Sequence, residues 1–278
     1  MAEIDRLTNR AAPPSLVPTH CAMTHSNTPA SAIKTDEKKQ HFDDIYVAPD
    51  PVPFKERIID ALDYISDDNN RATFNRLIRP WLEARKREQT SYLDLCCCFG
   101  NTTLAVAHQM SVGNIKQNWA DSASSESPLK PRQFGLTTTG IDISEPALDF
   151  TRRTGIFDRT IAADLNQLDG QLKDDVLEAM ATADILVSTA ALVYLDLETV
   201  GELIRAFAAA PREGYVMVNF LNPFSLEKSD ATKRLLLEHL EFVGSTATRH
   251  RRMSPLEQEY HPGEDWALLE IWVLKRRA

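Results

Sequence analysis

The stretch Ser91-Tyr-Leu-Asp-Leu-Cys-Cys-Cys-Phe-Gly-Asn-Thr-Thr103 decides how this chain is read. Its apolar start, Tyr92 to Leu95, forms a short buried strand with Asp94 near the C-terminal end. Cys96, Cys97 and Cys98 are small, Gly100 can take positive φ, and Asn101 to Thr103 can cap a helix. A strand that feeds a small-residue turn and then a helix lets the backbone approach a ligand closely. It also points free N–H groups at that ligand, as nucleotide-binding folds do.

Downstream, strands and helices alternate, which marks a parallel sheet with crossover helices. A helix follows over Thr102 to Met110, and the polar, Ser- and Pro-rich stretch Gly113 to Arg132 reads as a loop insertion that adds no element. The second strand is Leu136 to Ile143; Ser144 then caps a helix with Pro146 in its first turn and Gly155 near its end. Strands follow at Arg159 to Ala163, Asp184 to Ser188 and Tyr215 to Phe220. The helices between and after them are Leu172 to Ala181, Leu197 to Ala209 and Leu226 to Leu240. Phe242 to Arg251 and Trp266 to Lys275 are joined without a crossover helix, so they form an antiparallel hairpin at the sheet edge. The expected fold is α/β: a seven-stranded, mostly parallel Rossmann-like sheet with a C-terminal antiparallel hairpin.

Upstream, residues 1–35 carry four prolines among Ser, Thr and Asn and read as a disordered tail. Residues 36–90 read as an N-terminal helical cap, and residues 91–278 as the sheet domain, with 113–132 as its insertion. In the cap, an amphipathic segment at His41 to Tyr46 is broken by Pro49 to Pro53, and helices are expected at Phe54 to Tyr64 and Arg71 to Arg87. Phe42, Ile45 and Tyr46 have no strand of their own to pack on, so they are expected to lie over the open edge of the sheet as a lid.

The 278 residues are 43% hydrophobic and 26% charged, with a net charge of −9 and a pI near 5.3. That balance excludes a general nucleic-acid or membrane-surface binder. No run approaches the ~18 apolar residues of a membrane span, and the N-terminus lacks the apolar core of a signal peptide. A cytoplasmic protein with reduced thiols is the expectation. Of the four cysteines three are consecutive, which fits neither a C-x-x-C metal site nor a spaced disulfide framework, so no metal is expected.

Asp94, Cys96, Cys98 and Gly100 lie on a D-x-G-x-G-x-G spacing, with Cys at the first two glycine positions. Asp142, in Gly140-Ile-Asp-Ile-Ser144, ends the second strand, where a carboxylate can accept hydrogen bonds from both hydroxyls of a ribose. Asp164 ends the third strand, and Asp184-Ile-Leu-Val-Ser-Thr-Ala-Ala-Leu-Val-Tyr-Leu195 supplies the fourth. In this order, from Ser91 to Lys275, these features resemble the class I S-adenosylmethionine (SAM)-dependent methyltransferases. The resemblance implies SAM as cofactor, held by Asp94, Cys96, Cys98, Gly100 and Asn101, by Asp142 and Ile143, by Asp164 and Leu165 at the adenine, and by Ser188. It implies O- or N-methylation of a small-molecule or peptide-like metabolite, of the kind made in secondary metabolism. Nucleic-acid methylation is not expected, because the D/N-P-P-Y/F motif is absent and Asn222-Pro-Phe224 follows the fifth strand, not the fourth.

Methyl transfer needs orientation above all, and a base only where the nucleophile must lose a proton. His250, Tyr194 and His41 are the candidates for that role, and Tyr46, Tyr64, Thr189, Tyr194, Asn219 and Asn222 for holding substrate. Each also has a plain structural use: a strand-edge histidine, aromatic packing, or a turn before Pro223. Two alternatives stay open. One is a SAM-consuming cyclase that makes azetidine-2-carboxylate and releases methylthioadenosine; the other is a degenerate, non-catalytic SAM-binding module.

Overall fold

The computed structural model describes residues 39–85, 89–126 and 129–277; the expected tail at 1–35 lies outside them. The strands are β1 (Thr90–Leu95), β2 (Leu136–Asp142), β3 (Arg159–Ala162), β4 (Ile185–Ser188), β5 (Tyr215–Asn222), β6 (Leu240–Arg252) and β7 (Trp266–Arg276). They form one sheet in the order β3-β2-β1-β4-β5-β7-β6, in which β7 alone runs against its neighbours. This is the Rossmann-like sheet with a C-terminal antiparallel hairpin that the sequence implied. The strand order reverses between β1 and β4, where Asp94 is level with Gly140 on one side and Val187 on the other. In open α/β sheets, ligands bind outside the carboxyl ends of the strands at such a reversal.

The helices are α1 (Asp43–Tyr46), α2 (Val52–Phe54), α3 (Ser66–Leu77), α4 (Arg79–Arg85), α5 (Asn101–Val106), α6 (Val112–Asn118), α7 (Ser122–Ser125), α8 (Glu145–Thr154), α9 (Gly170–Thr182), α10 (Leu197–Ala208), α11 (Leu226–His239) and α12 (Pro255–Tyr260). Alternation along β1 sends Leu93 and Leu95 to one face, where Val176 and Met180 of α9, Leu203 and Phe207 of α10, and Leu236 of α11 cover them. Tyr92 faces the opposite layer, built on Phe74 of α3, Ile78 at its C-cap and Val106 of α5. Leu148 and Phe150 of α8 and Leu104 of α5 continue that layer toward the cap, against Phe54 and Trp119.

Four stretches depart from expectation. The stretch 113–132 is not a featureless loop, since it carries most of α6 and all of α7. Ser111 and Asn114 form a reciprocal capping box that starts α6, and Ile115 and Trp119 are fully buried. Trp119 stands edge-on to Phe54, with ring centroids 6.1 Å apart. The expected helix at 54–64 starts earlier, as α2, and widens into a π-helical turn over Lys55–Asp60. There the Ala61 N–H donates to the Glu56 carbonyl and Tyr64 to Ile59, placing both Ile58 and Ile59 in the core. The expected helix at 71–87 begins at Ser66 and breaks at Ile78, ahead of Pro80, which has no N–H to continue it. A short helix, α12, also lies within the connection of the β6–β7 hairpin.

The cap is joined to the sheet through β6. Asn69 donates from Nδ2 to the Arg249 carbonyl at 3.0 Å, the Ile65 N–H to the His250 carbonyl at 3.0 Å, and Arg252 N–H to the Leu62 carbonyl at 2.6 Å. Arg76 adds a bond from Nη2 to Thr246 Oγ1 at 2.5 Å. Among the described residues no helix is long and apolar enough to cross a membrane.

Candidate functional site

Beyond β1 the backbone turns left-handed at Cys96 (φ 58°), Cys98 (φ 48°) and Gly100 (φ 76°). A side chain in that region costs about 1–2 kcal/mol, because Cβ crowds the following carbonyl. The glycine-type loop geometry is therefore kept although cysteine stands at two of its positions. Cys97, between them, extends the ladder from its N–H to the Ile141 carbonyl at 3.1 Å and is buried. A Cβ on Gly100 would lie 2.7 Å from Ile156 Cγ2, so this glycine serves packing on its far side as well as the turn.

The loop is tied to the end of β2. The Cys98 N–H donates to Asp142 Oδ2 and the Ser144 N–H to Asp142 Oδ1, both at 2.8 Å. Each carboxylate oxygen keeps a further lone pair for a ligand. Burial raises the Asp142 carboxyl above its ordinary range, against the lowering effect of these two amides. Asp94, one strand over, accepts from the Thr103 hydroxyl at 2.7 Å, and burial pushes it up to about 8.

These groups open on a cavity of about 580 Å³ at the carboxyl ends of β1, β2 and β4. Of the residues expected to bind cofactor, Asp94, Cys96, Cys98, Asn101, Asp142, Ile143, Asp164 and Leu165 line it. Of those expected at substrate, Tyr46, Tyr64, Thr189 and Tyr194 line it, as do His41 and His250. Gly100, Ser188, Asn219 and Asn222 are not in its wall. Ser188 and Asn219 are buried behind it, Asn219 donating to Asn70 Oδ1 at 2.8 Å, and Asn222 is solvent-exposed. Asp164 accepts from the Asn166 N–H at 3.0 Å and caps the short turn that starts with the buried Leu165. Asp184, given no catalytic role from its position at the strand start, binds Ser91, Arg85 and Arg212.

Residues between Lys39 and Val47, ahead of the first strand, also line the cavity. Ser144 donates from Oγ to the Tyr46 carbonyl at 2.5 Å, Glu257 Oε1 accepts the Gln40 N–H at 3.1 Å, and Lys39 reaches the Tyr194 hydroxyl. Glu257 is itself fully buried and paired at both oxygens with Arg251, at 2.7 Å each. Burial raises both tyrosine hydroxyls, Tyr46 and Tyr64, above their ordinary range.

Residues that sequence reasoning missed form the wall behind Tyr64. Asp67, buried in the first turn of α3, accepts from Asn101 Nδ2 at 2.8 Å and lies 3.2 Å from the Thr102 hydroxyl. Asn70 donates from Nδ2 to Thr189 Oγ1 at 3.1 Å, and burial pushes Asp67 up to about 6. Ser66 pairs with His250 Nδ1. In the sequence, Ser66-Asp-Asp-Asn-Asn70 has the look of a solvated helix start, and its packing against α5, Thr189 and β6 turns it inward.

No protein-family model matches this chain, and no curated protein does. Similar solved structures include the magnesium protoporphyrin IX methyltransferase ChlM of Synechocystis PCC 6803 with bound SAM, 16% identical over 74% of this chain and 79% of that one, at a TM-score of 0.42. A TehB-like SAM-dependent methyltransferase of Corynebacterium glutamicum is 11% identical over 76% of this chain and 98% of that one, at 0.38. The plantazolicin methyltransferase BpumL, bound to SAH (S-adenosylhomocysteine), is 16% identical over 68% and 76%, at 0.37. Likeness at this level carries nothing about activity, and the fold rests on its own strand order.

Proposed function

We propose that this protein is a SAM-dependent methyltransferase acting on a small-molecule or peptide-like metabolite. The observation that carries the reading is the left-handed Cys96–Gly100 loop tied through Cys98 to Asp142, at the strand-order reversal and open to one roofed cavity. The chain's own groups fit the cofactor. Asp142 offers a lone pair on each oxygen to ribose hydroxyls, Ile143 and Leu165 offer apolar surface to a purine, and Asp94 offers a carboxyl to a cationic methionine end. When bound, SAM supplies an electrophilic methyl group on a sulfonium. The protein contributes orientation by the cavity wall and exclusion of water by the Lys39–Val47 roof.

A second reading, SAM-consuming cyclisation, is favoured by that same roof, since the chain's own Phe42, Tyr46 and Val47 line the cavity where a second substrate would have to fit. Titration calorimetry with SAM, followed by incubation with SAM and a cell metabolite extract and mass spectrometry of the products, separates the readings. S-adenosylhomocysteine marks methyl transfer and methylthioadenosine marks cyclisation. Binding without either product leaves a non-catalytic module, and absence of SAM binding refutes all three.

A further inference from the structure

We propose that His250 is the proton acceptor of the reaction and that Ser66 of the cap is its positioning residue. The proposal rests on the methyl-transfer reading and extends it to an acceptor whose O–H or N–H must be lost. His250 lies near the end of β6, is buried, and forms part of the cavity wall. Its Nδ1 is paired with the Ser66 hydroxyl, and that hydroxyl also lies 3.4 Å from the His250 carbonyl. With Ser66 donating to the carbonyl, its oxygen accepts Nδ1–H, and this assignment leaves the lone pair on Nε2. Among the described residues no protein group bonds Nε2, so it is the ring nitrogen available to a ligand in the cavity.

The surroundings keep the ring neutral and fixed. Burial lowers the imidazole well below its ordinary range, with smaller contributions from Arg251 on β6 and Lys39 in the roof. Tyr64 stands edge-on at 5.4 Å between ring centroids, and Asp67, next to Ser66, accepts from Asn101 and Thr102. Arg251 is neutralised by Glu257, so the charge nearest the ring is internally balanced. The other two candidates are placed less well: His41 is exposed on the roof, and Tyr194 is half-exposed and tied to Lys39.

The step balances without a further reactant. As the acceptor heteroatom forms its bond to the methyl carbon, the sulfur–carbon bond breaks and its electron pair stays on sulfur. The proton of the acceptor passes to Nε2, and the imidazolium, disfavoured by burial, later releases it to water. A positioned base of this kind is worth about 10²–10⁴-fold. The cap therefore does more than cover the site, because it supplies the hydroxyl that selects the tautomer.

The test uses the full chain, SAM, and a metabolite extract as the source of acceptor. His250→Gln is expected to bind SAM within about twofold of wild type by calorimetry and to lose about 100-fold in the rate of S-adenosylhomocysteine formation. The acid limb of the wild-type pH–rate profile is expected to disappear in it. Ser66→Ala is expected to lower the rate without changing SAM affinity and to shift that limb. Independently of turnover, ¹⁵N NMR of the SAH-bound protein is expected to show His250 as the neutral Nδ1–H tautomer from pH 6 to 8. A rate within threefold of wild type in His250→Gln, a retained acid limb, or an Nε2–H tautomer overturns the proposal. If His250→Gln does not fold, Ser66→Ala and the tautomer decide it. Failure of the wild type to form S-adenosylhomocysteine refutes methyl transfer itself, whereas the tautomer reports on His250 alone.

Discussion

Replacing Cys98 separately by glycine and by alanine tests whether the loop carries the strain its dihedral angles imply. Both variants remove the thiol, so comparing them cancels the loss of its packing. At φ 48°, alanine keeps the clash that costs about 1–2 kcal/mol, and glycine removes it. Against this, glycine adds conformational freedom to the unfolded chain, worth about 0.4–1 kcal/mol. Cys98→Gly should therefore be more stable than Cys98→Ala by about 0.5–1 kcal/mol, or about 1–4 °C in Tm for a chain of this size. The same order is expected at Cys96, where φ is 58°. Cys97 is the internal control. It is buried and not left-handed, so there alanine should be the more stable variant. Thermal melts followed by circular dichroism, with a urea titration to confirm unchanged m, measure all six proteins. Alanine equal to or better than glycine at both 96 and 98 would falsify the left-handed loop and the ligand geometry built on it.

Asp142→Ala should weaken SAM binding at least tenfold by calorimetry, since each hydrogen bond to a charged group contributes about 1.5–3 kcal/mol; unchanged affinity in a folded variant removes Asp142 from the site. Asp94 has a folded-state pKa of about 8, above its unfolded value, so its contribution to apo stability is complete below about pH 4 and is lost as pH rises toward about 8. Relative to wild type, Asp94→Asn should gain Tm between pH 5 and pH 9, and parallel pH profiles for the two would contradict the burial argument. Glu257→Ala leaves the buried Arg251 unpaired and should cost about 3–5 kcal/mol. It should also speed protease cleavage in the roof near Gln40, and a roof equally protected in the variant would mean that Glu257 does not hold it.

The central strands β1, β4 and β5 were legible as apolar runs bounded by polar or small residues, and the hairpin because its two strands lack a crossover between them. Part of the cavity wall was legible too, because strand-end carboxylates such as Asp142 and Asp164 interrupt apolar runs. Chemistry that depends on packing between distant segments was not. Ser66, Asp67 and Asn70 resemble any hydrophilic helix start, and nothing local says that β6, some 180 residues on, meets Ser66, or that α5, Thr189 and Asn219 meet Asp67 and Asn70. At α6 the buried face is marked by only three apolar residues, Val112, Ile115 and the C-cap Trp119, at i, i+3 and i+7 among polar neighbours, a single short turn that the polar stretch after it outweighs. Asn219 and Asn222 had the right position in the chain but the wrong direction, since pleating sends the first behind the cavity and the second to solvent.

The bonds from the cap to β6 have a consequence for solubility. β6 is a 13-residue strand at the end of the sheet, and an outer strand of that length is a template on which another chain can add. The carbonyls of Arg249 and His250 and the N–H of Arg252 are already taken by Asn69, Ile65 and Leu62. The opposite border, β3, has only four residues and offers little to pair with. The cap thus acts as a molecular selvedge that stops the sheet from continuing into a neighbour. A fragment beginning at Thr90 would keep every strand yet lose that guard, and it would be expected to self-associate through β6 before any question of its chemistry arose.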